Sequence, residues 1–340
     1  MVRFRGPMDS AGSMMLPTMT RYRRTMLSMC IALMIPQLIS AQEFEDGLFD
    51  GPTSSSTTTT TTNTVRFVTV NIPNAGQVIG KRMIGGIDFF GGIPYAAPPV
   101  GSLRWSPPEP VTPWSPSKLD ATQFGPDCWQ LVDPVINPGT DTSQMSEDCL
   151  YLNIYTPAGA YSAASSSSYS TLNSNKQNLK PVMVWLHGGA FQMGGARRPE
   201  YDGRQLADRG TIVVTINYRL GALGFLVSSS DGLYGNFGLM DQRAALHWVK
   251  ENIINFGGDP DNVTLFGESA GAVMTVLHLM MENRNIHDDN TVNQGDVPKR
   301  SRSKRLFHKA IIQSNPLGLQ FRSVVVADFI GEALKVRIYR

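Results

Sequence analysis

The chain has 340 residues, 41% of them hydrophobic and 17% charged, with a formal net charge of +2. That is ample apolar material for one large domain or two modest ones, and the near balance of charge gives no sign of a nucleic-acid footprint or a polyanion partner. The five histidines are scattered and the three cysteines show no metal-ligand spacing, so neither a metal site nor a cofactor is expected.

Residues 1–41 read as a secretory signal. Arg21, Arg23 and Arg24 precede an apolar run from Met26 to Ile39, and Ile39-Ser40-Ala41 offers a small residue at the cut. The run is short for a bilayer and Pro36 interrupts it, so no stable membrane span is expected. The leader is longer than usual, which points to initiation at an internal methionine such as Met14 or Met19. The expected product is secreted. Removing the leader takes Cys30 with it and leaves Cys128 and Cys149 as an even pair. They either close a disulfide loop worth on the order of 3 kcal/mol in an oxidising compartment or stay as buried thiols.

Residues 42–64 form a Ser/Thr-rich linker, with Thr53 to Thr64 almost pure Ser/Thr, a composition that cannot build a core. Globular character begins near Val65 and defines a domain over 65–340. Polar tracts near 160–180 and 287–305 read as surface insertions. The second ends Arg302-Ser303-Lys304-Arg305, which fits both a solvated loop and the dibasic pattern of secretory processing proteases.

Between the tracts, strands and helices alternate. Pro181 to Leu186 and Thr211 to Ile216 are apolar strands, and Asn236 to Asn255 has helical periodicity. Val263 to Phe266 is a strand, Ala270 to Met281 a helix, Ala310 to Gln313 a strand and Val324 to Leu334 a helix. Continuous apolar strands alternating with helices predict an α/β fold, a largely parallel sheet covered on both faces.

Gly267-Glu268-Ser269-Ala270-Gly271 sits between an apolar strand and an apolar helix, the context that the Gly-x-Ser-x-Gly pattern of a serine nucleophile requires. A serine on so sharp a turn needs neighbours without side chains two residues away on each side, and Gly267 and Gly271 meet that need. The helix start at Ala270 presents free N–H groups toward developing negative charge. A second constellation, His187-Gly188-Gly189-Ala190-Phe191, leaves a strand as a glycine-rich loop able to aim amides at an oxyanion. His187 itself reads as a positioning residue. Asn262-Val263-Thr264 is the one N-glycosylation sequon, in a turn beside a buried strand.

Several further segments carry a resemblance. They are Gly92 to Ala96 with Pro98 to Gly101 and Leu103-Arg104-Trp105, Ser146 to Asn153, Asn217 to Gly221, Gly238 to Gln242 and Phe256 to Pro260. Together with the loop and the serine motif, the order over Val65 to about Ser314 resembles the type-B carboxylesterase/lipase family, which includes cholinesterases and the neuroligin adhesion proteins. The resemblance implies an α/β-hydrolase fold, Ser269 as nucleophile, and the amides of Gly189, Ala190 and Ala270 as oxyanion donors, with Gly188 permitting close approach. It implies a Cys128–Cys149 disulfide and structural ion pairs Arg104–Glu147 and Arg219–Asp241. Ala190 stands where the family commonly has glycine. Ile136 stands where cholinesterases carry a tryptophan that stacks on a quaternary ammonium, which argues against a choline ester.

The family's triad runs Ser, then acid, then His. After Ser269 only His278, His287 and His308 remain, on or just beyond the nucleophile's own helix and the charged tract. The expectation is an incomplete domain that lacks triad acid and base and is inactive as it stands. The expected function is hydrolysis of a small-molecule carboxylic ester through an acyl-enzyme. The competing readings are a non-catalytic neuroligin-like adhesion protein and an inert fragment. Adhesion members usually lose the nucleophile, whereas Ser269 and its neighbour Glu268 are intact.

Overall fold

Residues 65–135, 137, 140–161, 178–287, 305–316 and 323–338 are described by a computed structural model, within one unit spanning Asn63–Arg340. The leader, the Ser/Thr-rich linker, Ile136, residues 162–177 and residues 288–304 lie outside the described residues.

Nine strands form one sheet. They are β1 (Phe67–Ile72), β2 (Gly76–Met83), β3 (Ile87–Pro94), β4 (Lys118–Asp120), β5 (Tyr151–Pro157), β6 (Lys180–Leu186), β7 (Ile212–Ile216), β8 (Gly258–Glu268) and β9 (Lys309–Gln313). Their spatial order is β1-β2-β3-β5-β7-β6-β8-β9, with β4 beside β2. The α/β class holds, and the sheet is mixed. From β7 through β6 and β8 to β9 the pairing is parallel, whereas from β1 to β7 it is antiparallel.

The antiparallel half carries a different sequence signature. In β1, Val70 and Ile72 are buried while Asn71 between them is exposed, the alternation of a strand with one wet face. Left-handed turns at Asn74 (φ 64°) and at Gly85 and Gly86 (φ 90° and 76°) close its two hairpins. β7, by contrast, is buried at all five positions, as a central strand covered on both sides must be.

The described α-helices are α1 (Arg204–Asp208), α2 (Gly221–Phe225), α3 (Phe237–Asn252), α4 (Ala270–His287) and α5 (Val324–Ile338). Phe89, Tyr155 and Val213 pack with Ala207 of α1. Their chain neighbours Phe90, Ile154 and Val214 pack with Ala245, Leu246 and Val249 of α3. Successive strand residues point to opposite faces, so α1 and α3 cover the two sides of the sheet. None of the helices searched among the described residues is long and apolar enough to cross a membrane.

The buried stripe of α3 contains two polar residues, Asp241 and Gln242. Asp241 accepts from Arg219 Nε at 2.8 Å, Nη2 at 2.7 Å and backbone N at 3.1 Å, and Arg219 Nη2 also reaches the Ser106 carbonyl at 2.9 Å. Burial pushes the Asp241 carboxyl up, and the Arg219 guanidinium opposes that rise. The pair sets the end of β7 against the start of α3. The other expected pair, Arg104 with Glu147 at 2.5 and 2.7 Å, forms on the surface. Asp241→Ala leaves a guanidinium buried without its anion, and urea denaturation should show a loss of about 3–5 kcal/mol. Glu147→Gln, on the exposed pair, should leave the unfolding midpoint nearly unchanged.

Candidate active site

β8 ends at Glu268 and α4 begins at Ala270, which leaves Ser269 alone on the turn with φ 53°. A left-handed backbone at a residue with a Cβ costs roughly 1–2 kcal/mol. Local packing holds it there. A Cβ at Gly271 would stand 2.0 Å from the Leu186 carbonyl oxygen, and one at Gly267 would meet that same oxygen at 2.9 Å and the Gly271 carbonyl at 2.5 Å. The two glycines are therefore required by close approach of backbones rather than by their own dihedrals. The Ser269 amide donates to the Gln313 carbonyl of β9 at 3.0 Å, and its carbonyl accepts from Val273 at 3.1 Å. Ser269 is half-buried.

The loop after β6 is brought against this turn. A Cβ on Gly188 would lie 2.8 Å from Glu268 Oε2 and 3.2 Å from Ser269 Cβ, so a side chain there would crowd the turn. Burial raises the Glu268 carboxyl above its ordinary value. Gly189, Ala190 and Phe191 then turn with φ 106°, 53° and 63°. Gly189 has no room for a side chain, because a Cβ would stand 2.1 Å from the Met193 carbonyl. Ala190 is exposed and left-handed, so its methyl group carries a conformational cost that glycine would not. Among the described residues, no backbone or side-chain group engages the amides of Gly189, Ala190 or Ala270.

His187 supports the loop from beneath. Its ring is buried and stacks on Tyr218 at 4.3 Å between centroids, and its Nδ1 lies 2.8 Å from the Gly188 carbonyl. The Tyr218 hydroxyl donates to the His187 carbonyl at 2.7 Å. Asn217 ties the far end of the loop, accepting from the Ala196 amide at 2.8 Å and donating to the Pro126 carbonyl at 2.8 Å. Both supports lie in the segment Asn217 to Gly221, which the sequence marked for its pattern without disclosing its partners.

The remaining histidines sit elsewhere. His278 is buried on α4, with Nε2 3.0 Å from Gln242 Oε1, about 13 Å along the helix from Ser269. His308 pairs with Val263 midway along β8, about 20 Å of strand from Ser269. His247 lies on α3, and His287 ends α4. Among the described residues no imidazole is placed at the nucleophile. No group of three metal-ligating side chains occurs among them either.

Cys128 and Cys149 are joined as a disulfide with Cα atoms 5.0 Å apart. Asn262 is half-buried within β8 rather than in a turn before it, and its Oδ1 accepts from Lys309 Nζ at 2.9 Å.

Burial lowers His187 from 6.5 to about 4 and His278 from 6.5 to about 3, so both rings fold as neutral imidazoles. The unfolded rings take up protons near the ordinary value while the folded ones do not, so stability falls as pH drops from about 6.5 toward 4. Urea titrations across that window should show the fall. The slope should be shallower in His278→Gln, which keeps a polar group beside Gln242 and removes the titration.

The carboxylesterase family profile matches residues 66–321. The chain is 45% identical over 232 residues to the para-nitrobenzyl esterase of Bacillus subtilis (strain 168), covering 67% of this chain and 40% of that protein. It is 46% identical over 255 residues to the liver carboxylesterase of Sus scrofa, covering 70% and 38%. It is 39% identical over 258 residues to the acetylcholinesterase of Bungarus fasciatus, covering 73% and 36%. A solved PNB esterase superposes with a TM-score of 0.60 at 39% identity, covering 78% of this chain and 47% of its own. The chain thus spans less than half the length of these relatives. The elbow between β8 and α4, the loop after β6 and the profile that runs through both agree: the chain belongs to the carboxylesterase family.

Proposed function

We propose that this chain carries the nucleophile portion of a carboxylic-ester hydrolase, with Ser269 as the attacking residue. The observation that carries the reading is the left-handed Ser269 with Gly188 of the β6 loop directly against it. The Ser269 hydroxyl oxygen bonds to the ester carbonyl carbon and gives up its proton, and the carbonyl oxygen becomes an oxyanion. As that intermediate collapses, the alcohol leaves with a proton. Water then cleaves the acyl-enzyme to release the acid and restore the hydroxyl. The amides of Gly189, Ala190 and Ala270 are the proposed oxyanion donors, a reading supported by their lack of other partners and by the helix N-terminus at Ala270. The proposed substrate is a small-molecule carboxylic ester, in keeping with the relatives named as esterases.

Among the described residues no imidazole stands beside Ser269, so we infer that these 340 residues turn over esters slowly without an added base. Added imidazole can serve as that base. With p-nitrophenyl butyrate, wild type plus imidazole should exceed Ser269→Ala plus imidazole by about a hundredfold. Equal rates in the two proteins overturn the nucleophile assignment. Rapid turnover without imidazole overturns the inference of slow unassisted turnover.

We also propose that the chain is exported. The reading rests on the Arg21 to Ala41 pattern and on the Cys128–Cys149 pair, which persists best in an oxidising compartment. Expression in a secretory cell line should deliver the chain to the medium with Gln42 at its N-terminus. Retention in the cytosol with both thiols free is the contrary outcome.

A further inference from the structure

We propose that Gln130 is the positioning residue of the loop 187–196, a clamp that fixes the loop's shape from outside the nucleophile's own strand, turn and helix. Its carboxamide pairs with the Gly194 peptide in both directions: Nε2 donates to the Gly194 carbonyl at 2.8 Å, and Oε1 accepts from the Gly194 amide at 2.8 Å. The second Nε2 proton goes to the Cys128 carbonyl at 3.1 Å, and the second Oε1 lone pair takes Asn137 Nδ2 at 3.1 Å. All four hydrogen-bonding positions of the amide are used. A carboxylate cannot donate to the two carbonyls, and an apolar side chain leaves Gly194 without partners on either side.

Gly194 is the point at which such a clamp acts on the site. It has φ 116°, and a Cβ there would lie 2.3 Å from His187 Nδ1 and 2.8 Å from the Gly188 carbonyl. Gly194 thus rests directly on the two residues that begin the loop, and Gly188 in turn rests on Ser269. The Leu131 amide adds a parallel tie, donating to the Gln192 carbonyl at 2.9 Å. On the other side, Gln130 stands two residues from Cys128, whose disulfide to Cys149 anchors this stretch covalently. The path from disulfide to nucleophile is therefore a series of direct contacts through Gln130, Gly194 and Gly188.

That the clamp places oxyanion donors rests on the esterase reading; the clamp itself does not. Hydrogen exchange on the full chain separates the two. In Gln130→Glu, amides across 188–196 should exchange about tenfold faster than in wild type, while those of β6 keep their wild-type rates. Gln130→Ala should do the same. Gln144→Ala serves as control, because Gln144 accepts from Arg197 at 2.8 Å from the same disulfide-closed segment without touching Gly194, and its loop should exchange as in wild type. An unchanged loop in Gln130→Glu overturns the assignment. So does a rise shared equally by β6, or an equal rise in Gln144→Ala. The imidazole-assisted ester assay then tests the other half. A loosened loop in a chain whose wild type shows no Ser269-dependent turnover keeps the clamp and removes the esterase reading. Where wild type does turn over, Gln130→Glu should lower kcat with KM nearly unchanged.

Discussion

The Leu186 carbonyl at the end of β6 is approached by the bare backbones of Gly267 and Gly271 from either side of the serine. A single methyl group at either position would force apart β6, the end of β8 and the first turn of α4. Because no such group is present, the three backbones close to contact and Ser269 is held at a left-handed dihedral it would not adopt by itself. The same strand, β6, then continues into His187 and Gly188. Nucleophile and glycine-rich loop are therefore referred to one shared point in the sheet, and their relative position does not depend on any flexible connection between them.

Around this contact several buried polar groups are paired in a way that fixes loops rather than performs chemistry. Arg219 and Asp241 join the end of β7 to α3. Asn217 spans from Ala196 to Pro126. Tyr218 holds His187 by both its ring and its hydroxyl. Each of these is a group whose burial without a partner would be destabilising, so each acts as a constraint on the backbone it touches. His187 illustrates the distinction well. It lies one residue from Gly188, yet stacking and burial commit it to support, with its ring neutral.

Much of the site was legible in the sequence because its requirements are local. A serine between a short apolar strand and an apolar helix, flanked by glycines at two residues' distance, states its geometry within five positions. The central strands β6 and β7 were legible for a similar reason, since their burial leaves continuous apolar runs. The antiparallel half was less so. β1 and β2 alternate in burial, and the turns that order the antiparallel strands depend on single left-handed residues such as Asn74. Least legible of all were the supports. Gln130 looks like any polar residue beside a cysteine, and only the fold brings it to Gly194, 64 residues away. The cause of the glycine preference at position 190 also emerged only with the backbone, as a left-handed dihedral.

The contact at Leu186 has a consequence for the order in which the molecule assembles. Leu186 and Gly267 pair across β6 and β8, far apart in the chain, and the loop between them must be closed before that contact exists. Until it does, nothing offsets the unfavourable dihedral at Ser269, and the turn has no reason to prefer its native shape. The reactive geometry thus depends on the central parallel strands being in register. A partly collapsed chain with its helices in place and β8 unpaired would carry the serine but not the elbow.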